Sequence, residues 1–402
     1  MFATLHKSIL ASLLLFALVG CKKDDPDVPT ENLGPLAVKY FVPEAAAVGD
    51  TVTVLGLNFS PTPANNVVIF TTANSTAFSF RKGILYDSIK VVVPAQASTG
   101  PLTVKVHAQS ATTQDPFVLV RGHWRRKADF PGGIGMDGTG FTIAGKTYQV
   151  LPGTNEMWAY DPATNRWARR AACPVGNVPL TSRTGELLSF TLNSFGYVGV
   201  YINQYPIDEI QFYRYDPAAD TWSRIAAVPH IDAHHGTVFG LGNKGYLVDT
   251  DPYTKGVLEY DPQTNAWTRK GAFPGPGRYV STSFSIGTKG YLGGGQTGGA
   301  GLLTDFWEYE STTDTWTRKA DLPDTNYEPN GFTANNQGFM IGGSNAVYVY
   351  SQATNTWARE ADFRGRTHTG KVSVGGGNYG YLSRGRGYGN DLYADFWQFS
   401  PN

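Results

Sequence analysis

The sequence predicts an all-β protein, a small β-sandwich followed by a six-bladed β-propeller, and three observations point to it. Glycine (47 residues) and aromatic residues (13%) are abundant while charged residues make up only 16%; aromatics fill pleated faces and glycine supplies tight turns, so short strands follow. No segment after residue 20 sustains a helical period. Six tryptophans, Trp124, Trp167, Trp222, Trp267, Trp316 and Trp357, recur at spacings of 43, 55, 45, 49 and 41 residues, the period of a stacked repeat.

Taken in chain order, residues 1–20 read as a targeting segment: Lys7 is basic, and an apolar run too short to span a bilayer as a helix ends at Leu18-Val19-Gly20-Cys21. That ending resembles a bacterial lipobox, which implies cleavage before Cys21 and a diacylglycerol on its thiol. The lipid would then hold the chain to the membrane. Residues 21–34 form a tether. Its Lys22-Lys23-Asp24-Asp25-Pro26-Asp27 resembles the surface-export signal of Bacteroidetes lipoproteins, which implies an outer-membrane, cell-surface location; without that resemblance it is a solvated, periplasm-facing linker.

Residues 35–121 alternate as short strands, for example Thr51-Val52-Thr53-Val54-Leu55 and Leu102-Thr103-Val104-Lys105-Val106. Pro43, Gly49-Asp50, Gly56-Leu57-Asn58-Phe59, Val67-Val68-Ile69-Phe70, Val93-Pro94 and Gly100 resemble the landmarks of an IPT/TIG domain, an immunoglobulin-like module that serves as spacer or adhesive unit. Cys21 and Cys173 are the only cysteines, so no disulfide pins this sandwich.

Residues 122–402 repeat in two registers. Each Trp is followed at +2 by Arg and at +4 by a small residue, Ala128, Ala171, Ala226, Gly271, Ala320 and Ala361. Tyr148, Tyr197, Tyr246, Tyr291, Phe339 and Tyr381 each follow a Gly or Thr, and seven residues before them stand Phe141, Phe190, Phe239, Phe284, Phe332 and Val374. One unit holds the four strands of a blade. The pattern resembles the kelch family, with the double glycine kept at Gly294-Gly295 and Gly342-Gly343. The last unit stops at Asn402 where its Trp strand is due, and Trp124 has no partner before it, so the Trp124 strand is expected to complete the final blade.

Lys+Arg and Asp+Glu balance at 33 each, so no global field favours nucleic acid or an acidic surface; the chain is expected to be a monomer whose partners are the membrane, through its lipid, and an extracellular glycan or protein ligand. The W-x-R arginines are expected around the periphery. Cys173 occupies a slot filled elsewhere by Phe130, Val228, Phe273, Leu322 and Phe363 and reads as a buried apolar residue. His230, Asp232, His234 and His235 form a polar cluster too sparse for a metal site, and neither a cofactor nor a metal is expected. Galactose-oxidase-like kelch enzymes use a Cys–Tyr pair, a second Tyr and two His around copper, a set not matched here.

The loops before the inner strands gather Arg183, Glu186, His235, Arg278, Tyr279, Tyr327, Glu328, Arg366 and His368. Planar donors and rings around a concavity suit a glycan. The expectation is therefore a cell-envelope lipoprotein whose propeller binds a glycan or protein ligand. The alternative is a glycan-processing enzyme, because bacterial sialic acid mutarotases are six-bladed kelch proteins and this Arg/Glu/His mouth resembles theirs in chemistry.

Overall fold

A computed structural model describes residues 34–135, 137–174, 187–204, 207–229, 236–251, 255–298, 301–324, 328–343, 345–366, 369–387, 389 and 391–401. Strands dominate, as the composition predicts; among the described residues a 3-10 turn at Pro63–Asn65 interrupts them, and no helix is long and apolar enough to cross a membrane. Cys21 and the tether to residue 33 lie outside the described residues.

The N-terminal part is a two-sheet sandwich. One sheet orders Ala37–Val42, Thr51–Leu57, Asp87–Val92 and Ser79–Arg81; the other orders Ala45–Ala46, Gln109–Leu119, Gly100–Val106, Asn66–Phe70 and Ala73–Thr76. Alternation does the packing: Val52 and Val54 face inward with Ile89, Val68, Phe70, Val104 and Phe117, while Thr51 and Leu57 face out.

Six four-stranded antiparallel sheets follow, blades I to VI, at residues 139–170, 187–224, 236–270, 282–319, 330–360 and 372–400. Their inner strands touch one another in turn, and Val372–Gly376 of blade VI also touches Thr139–Ile143 of blade I, so the ring closes. The fourth strand of blade VI is His123–Arg126, paired with Trp124 opposite Phe399. Closure therefore joins the two ends of the repeat array and leaves no open edge at the seam.

Two devices lock neighbouring blades. In five of them the register aromatic lies over the glycine that opens the next blade's second strand: Phe141 on Gly196, Phe190 on Gly245, Phe239 on Gly290, Phe284 on Gly338 and Phe332 on Gly380. Towards the periphery, five of the six repeat Trp indoles reach back to the small residue of the preceding unit: Trp167 Nε1 donates to Ala128 O (3.0 Å), Trp222 to Ala171 O (2.9 Å), Trp267 to Ala226 O (3.0 Å), Trp357 to Ala320 O (3.1 Å), and Trp124 closes the circle on Ala361 O (3.0 Å).

The amide of that same small residue is taken by an Asn or Asp two positions before the Trp. Asn165, Asp220, Asn265, Asp314 and Asn355 accept from Ala128, Ala171, Ala226, Gly271 and Ala320 at 2.8–3.1 Å. They also accept the hydroxyls of Tyr160, Tyr215, Tyr260, Tyr309 and Tyr350 at 2.6–2.9 Å. All five sit at φ between 50° and 53°, a left-handed turn conformation that Asn and Asp tolerate best among residues with a side chain. The W-x-R arginines are peripheral as expected; Arg126, Arg318 and Arg359 fork onto Asp129, Asp321 and Asp362.

The sandwich docks on the seam of blades V and VI. Ala45, Ala47 and Val120 share a core with Trp124, Phe363 and Phe399. Arg364 pairs with Asp50 at 2.8 Å, and the Ala361 amide donates to Arg121 O at 3.1 Å.

Candidate functional site

The inner strands enclose a central channel of about 270 Å³ lined by Gly, Ser and Thr together with Phe and Val residues of those strands. Inner strands of neighbouring blades do not share a backbone ladder, and side-chain hydroxyls bridge them. Ser189 donates to Gly140 O (2.6 Å), Ser283 to Val238 O (2.8 Å), Ser285 to Gly240 O (2.7 Å), Thr333 to Ser285 O (2.9 Å) and Ser373 to Gly331 O (3.0 Å). The hydroxyls therefore help to hold the ring together.

The loops entering each blade and the loops between second and third strands share one face. The amides of Phe273, Leu322 and Phe363 donate to Lys255 O (3.3 Å), Thr304 O (2.7 Å) and Asn345 O (2.9 Å). Where the slot six residues after the Trp holds Phe followed two later by Gly, the ring becomes a platform for a buried cation. Arg278 lies over Phe273 (5.1 Å), Arg384 over Phe130 (5.5 Å) and Lys371 over Phe363 (5.6 Å). Cys173 and Leu322, in the same slot, are buried as apolar residues.

Arg278 corrects the sequence-based expectation. It is fully buried, its Nη2 meets Asp305 Oδ2 at 2.5 Å, and Nη1 and Nε donate to Gly294 O (3.0 Å) and Pro276 O (3.2 Å). Its amide donates to Thr250 O at 2.8 Å, so the backbone of Arg278 holds blade III while its guanidinium holds blade IV, and the buried side chain presents nothing to a ligand. Tyr279 is half-buried and exchanges backbone hydrogen bonds with Gln296 (2.8 and 3.1 Å), which fixes the loop beside it.

Glu328 is tied to the loop that enters blade VI, and Arg366 lies in that same loop, four residues before Gly370. Glu328 Oε2 accepts the Gly370 amide at 2.6 Å, Gly370 O accepts the Asp137 amide at 3.0 Å, and Asp137 O accepts Arg384 Nη1 at 3.3 Å. Thr369 and Arg386 exchange backbone hydrogen bonds at 2.9 and 3.2 Å next to exposed Arg366. Lys371, which sequence reasoning passed over, stands in this rim with its Nζ on Asn345 Oδ1 at 3.1 Å. Burial pushes its pKa down to about 8, against the opposing pull of Glu328. The signal that could have found it is Phe363-Arg364-Gly365, the third Phe-x-Gly after Phe130-Pro131-Gly132 and Phe273-Pro274-Gly275. Arg183, Glu186, His235, Tyr327 and His368 lie outside the described residues, as do His230, Asp232 and His234.

No family model matches this chain, and no curated protein is similar to it. Among solved structures, that of YjhT is similar with a TM-score of 0.55 and 17% identity, over 67% of this chain and 95% of that one. A Bacteroides thetaiotaomicron structural-genomics protein of unknown function aligns over 94% of this chain and 99% of its own, at 12% identity and a TM-score of 0.46. The likeness to YjhT supports the multi-blade propeller fold.

Proposed function

We propose that this protein is a lipid-anchored, cell-envelope binding module. A kelch-type propeller takes a glycan or protein ligand on its loop face, and an IPT/TIG-like sandwich carries it away from the membrane. One observation carries the binding reading: the rim at blades V, VI and I is knitted by the Glu328–Gly370–Asp137–Arg384 chain of hydrogen bonds while Arg366 stays exposed beside it. A rim ordered before the ligand arrives loses little entropy on binding, and an exposed guanidinium can grip hydroxyls or a carboxylate in paired hydrogen bonds. A glycan array probed with the full chain carrying Cys21→Ser tests it. Retention of one glycan class that weakens with Arg366→Ala is expected, and undiminished retention by that variant would sink the rim as the site.

A specific observation favours a second reading, a glycan-processing enzyme. Lys371 stands in the rim near Glu328, held over the Phe363 ring with its Nζ on Asn345 Oδ1, and burial lowers its pKa to about 8. NMR of anomer exchange on any array hit separates the two: binding without faster exchange leaves a binder, whereas exchange abolished by Lys371→Met makes it an enzyme. For the anchor, Cys21→Ser is expected to release the chain from membranes, and protease added to intact cells is expected to remove the propeller.

A further inference from the structure

The sandwich has two dissimilar ends. At one, Asp50 meets Arg364 of the propeller, and Thr51 lies opposite Val92. At the other, Ala37 pairs with Leu57 and Gly56 with Asp87. The first described residues are fastened at this second end: Gln109 Nε2 donates to Gly34 O (3.2 Å) and Asn58 Nδ2 to Pro35 O (2.7 Å). Seven strand residues separate the ends, roughly 23 Å.

The loop leading from Ser79–Arg81 to Asp87–Val92 projects from that second end and carries Ile84 fully exposed and Leu85 78% exposed. Its base is braced: Lys82 Nζ bridges to Asp87 at 3.1 Å, and Tyr86 packs edge-on against Tyr40 at 6.0 Å. Gly83 passes so close to Tyr86 O that a β-carbon there would overlap it. The turn is thus tight and its two largest apolar side chains are held outward in water, at a cost that burial elsewhere would recover.

We propose that this loop is a second membrane contact, its Ile84 and Leu85 inserting into the lipid surface to which acylated Cys21 holds the chain. The inference rests on the lipid-anchor reading above. Residues 21–33 join the anchor to the same end of the sandwich, and thirteen residues span at most roughly 45 Å, so the loop always lies within reach of the bilayer. Exposed Lys39, Arg81 and Lys82 flank it and suit anionic headgroups. A lipid chain and an inserted apolar loop are the kind of paired signals that make anchoring stable. The sandwich then stands upright, with the propeller at its far end.

The test places an environment-sensitive fluorophore on Ile84→Cys in the otherwise native chain, where Cys173 is buried, and on exposed Thr313→Cys as a control. The probe is vesicles of phosphatidylethanolamine and phosphatidylglycerol with brominated acyl chains. A blue shift with quenching at position 84 and neither at 313 is expected. In the Cys21→Ser background, Ile84→Asp/Leu85→Asp should weaken vesicle partition about tenfold or more. No quenching at 84 in the vesicle-bound acylated chain overturns the proposal, as does a shift that follows protein concentration without lipid, which would mean that a second copy covers the loop. Failure of the anchor reading shows separately, as native chain that partitions no better than Cys21→Ser.

Discussion

The ring of Phe284 occupies the space that a β-carbon would need at Gly338 in the next blade. The same relation joins Phe141 to Gly196, Phe190 to Gly245, Phe239 to Gly290 and Phe332 to Gly380. At the sixth junction Val374 stands in the position of the aromatic and Thr147 in that of the glycine. The smaller residue on one blade thus coincides with the larger one on its neighbour, which conserves volume at the seam.

Gly338→Ala should therefore cost about 1–3 kcal/mol of stability through overpacking, measured by urea unfolding. At the exceptional junction, Val374→Phe alone should destabilise and Thr147→Gly added to it should restore most of the loss. Additive losses in the double variant would show that the two positions do not share one space.

The indole clamps offer an internal control. Trp267 Nε1 donates to Ala226 O, whereas Trp316 Nε1 is buried without a partner. Both indoles pack on a neighbouring core, so replacement by Phe removes similar area. Trp267→Phe should cost about 1 kcal/mol more than Trp316→Phe, the net worth of one hydrogen bond; equal midpoints would assign the clamp to packing alone.

The architecture was legible because the repeat spacing, the aromatic register and the interrupted last unit are all consequences of blade stacking. What escaped were features with a logic that crosses blades. Asn165, Asp220, Asn265, Asp314 and Asn355 stand two before each Trp, a regularity visible in the chain, yet their carboxyl or amide oxygens serve an amide on a different blade. Arg278 was expected at the mouth because the residues around it are loop residues. Its counterion Asp305 comes 27 positions later, and no local pattern announces that pairing.

Stability should fall as pH rises through the acid-to-neutral range. Glu360 is buried at the seam with the sandwich, and burial lifts its carboxyl to about 7, only partly offset by Arg121. The folded state therefore holds this proton more tightly than the unfolded chain, with its ordinary value of 4.5. Its contribution is complete below about pH 4.5 and is lost progressively as pH approaches 7, by as much as about 3 kcal/mol. Lys371 acts at higher pH with the opposite slope: its folded value of about 8 lies below 10.5, so stability gains between those values. Glu360→Gln should flatten the lower window and leave the upper one; melting curves from pH 4.5 to 10 read both.

Arg278 and Arg366 should separate stability from binding. Arg278 and Arg366 precede inner strands of blades IV and VI and carry the same charge, but Arg278 is fully buried against Asp305 and Arg366 is exposed. Removing the first leaves the Asp305 carboxylate buried with the Trp307 indole (2.6 Å) as its remaining donor and Oδ1 unpaired. Arg278→Ala should thus cost about 3–5 kcal/mol of stability, the usual result of breaking a buried pair. Arg366→Ala should leave the melting temperature within about a degree or two, as surface substitutions do, while weakening ligand binding by about 1–3 kcal/mol. Arg224→Ala, in the outer strand Thr221–Arg224 and on the periphery, should change neither. Calorimetric unfolding and titration of the three variants against one array hit give both readouts. Loss of binding by Arg224→Ala equal to that of Arg366→Ala would mean recognition by diffuse charge, and the rim would then have to be abandoned as the ligand site.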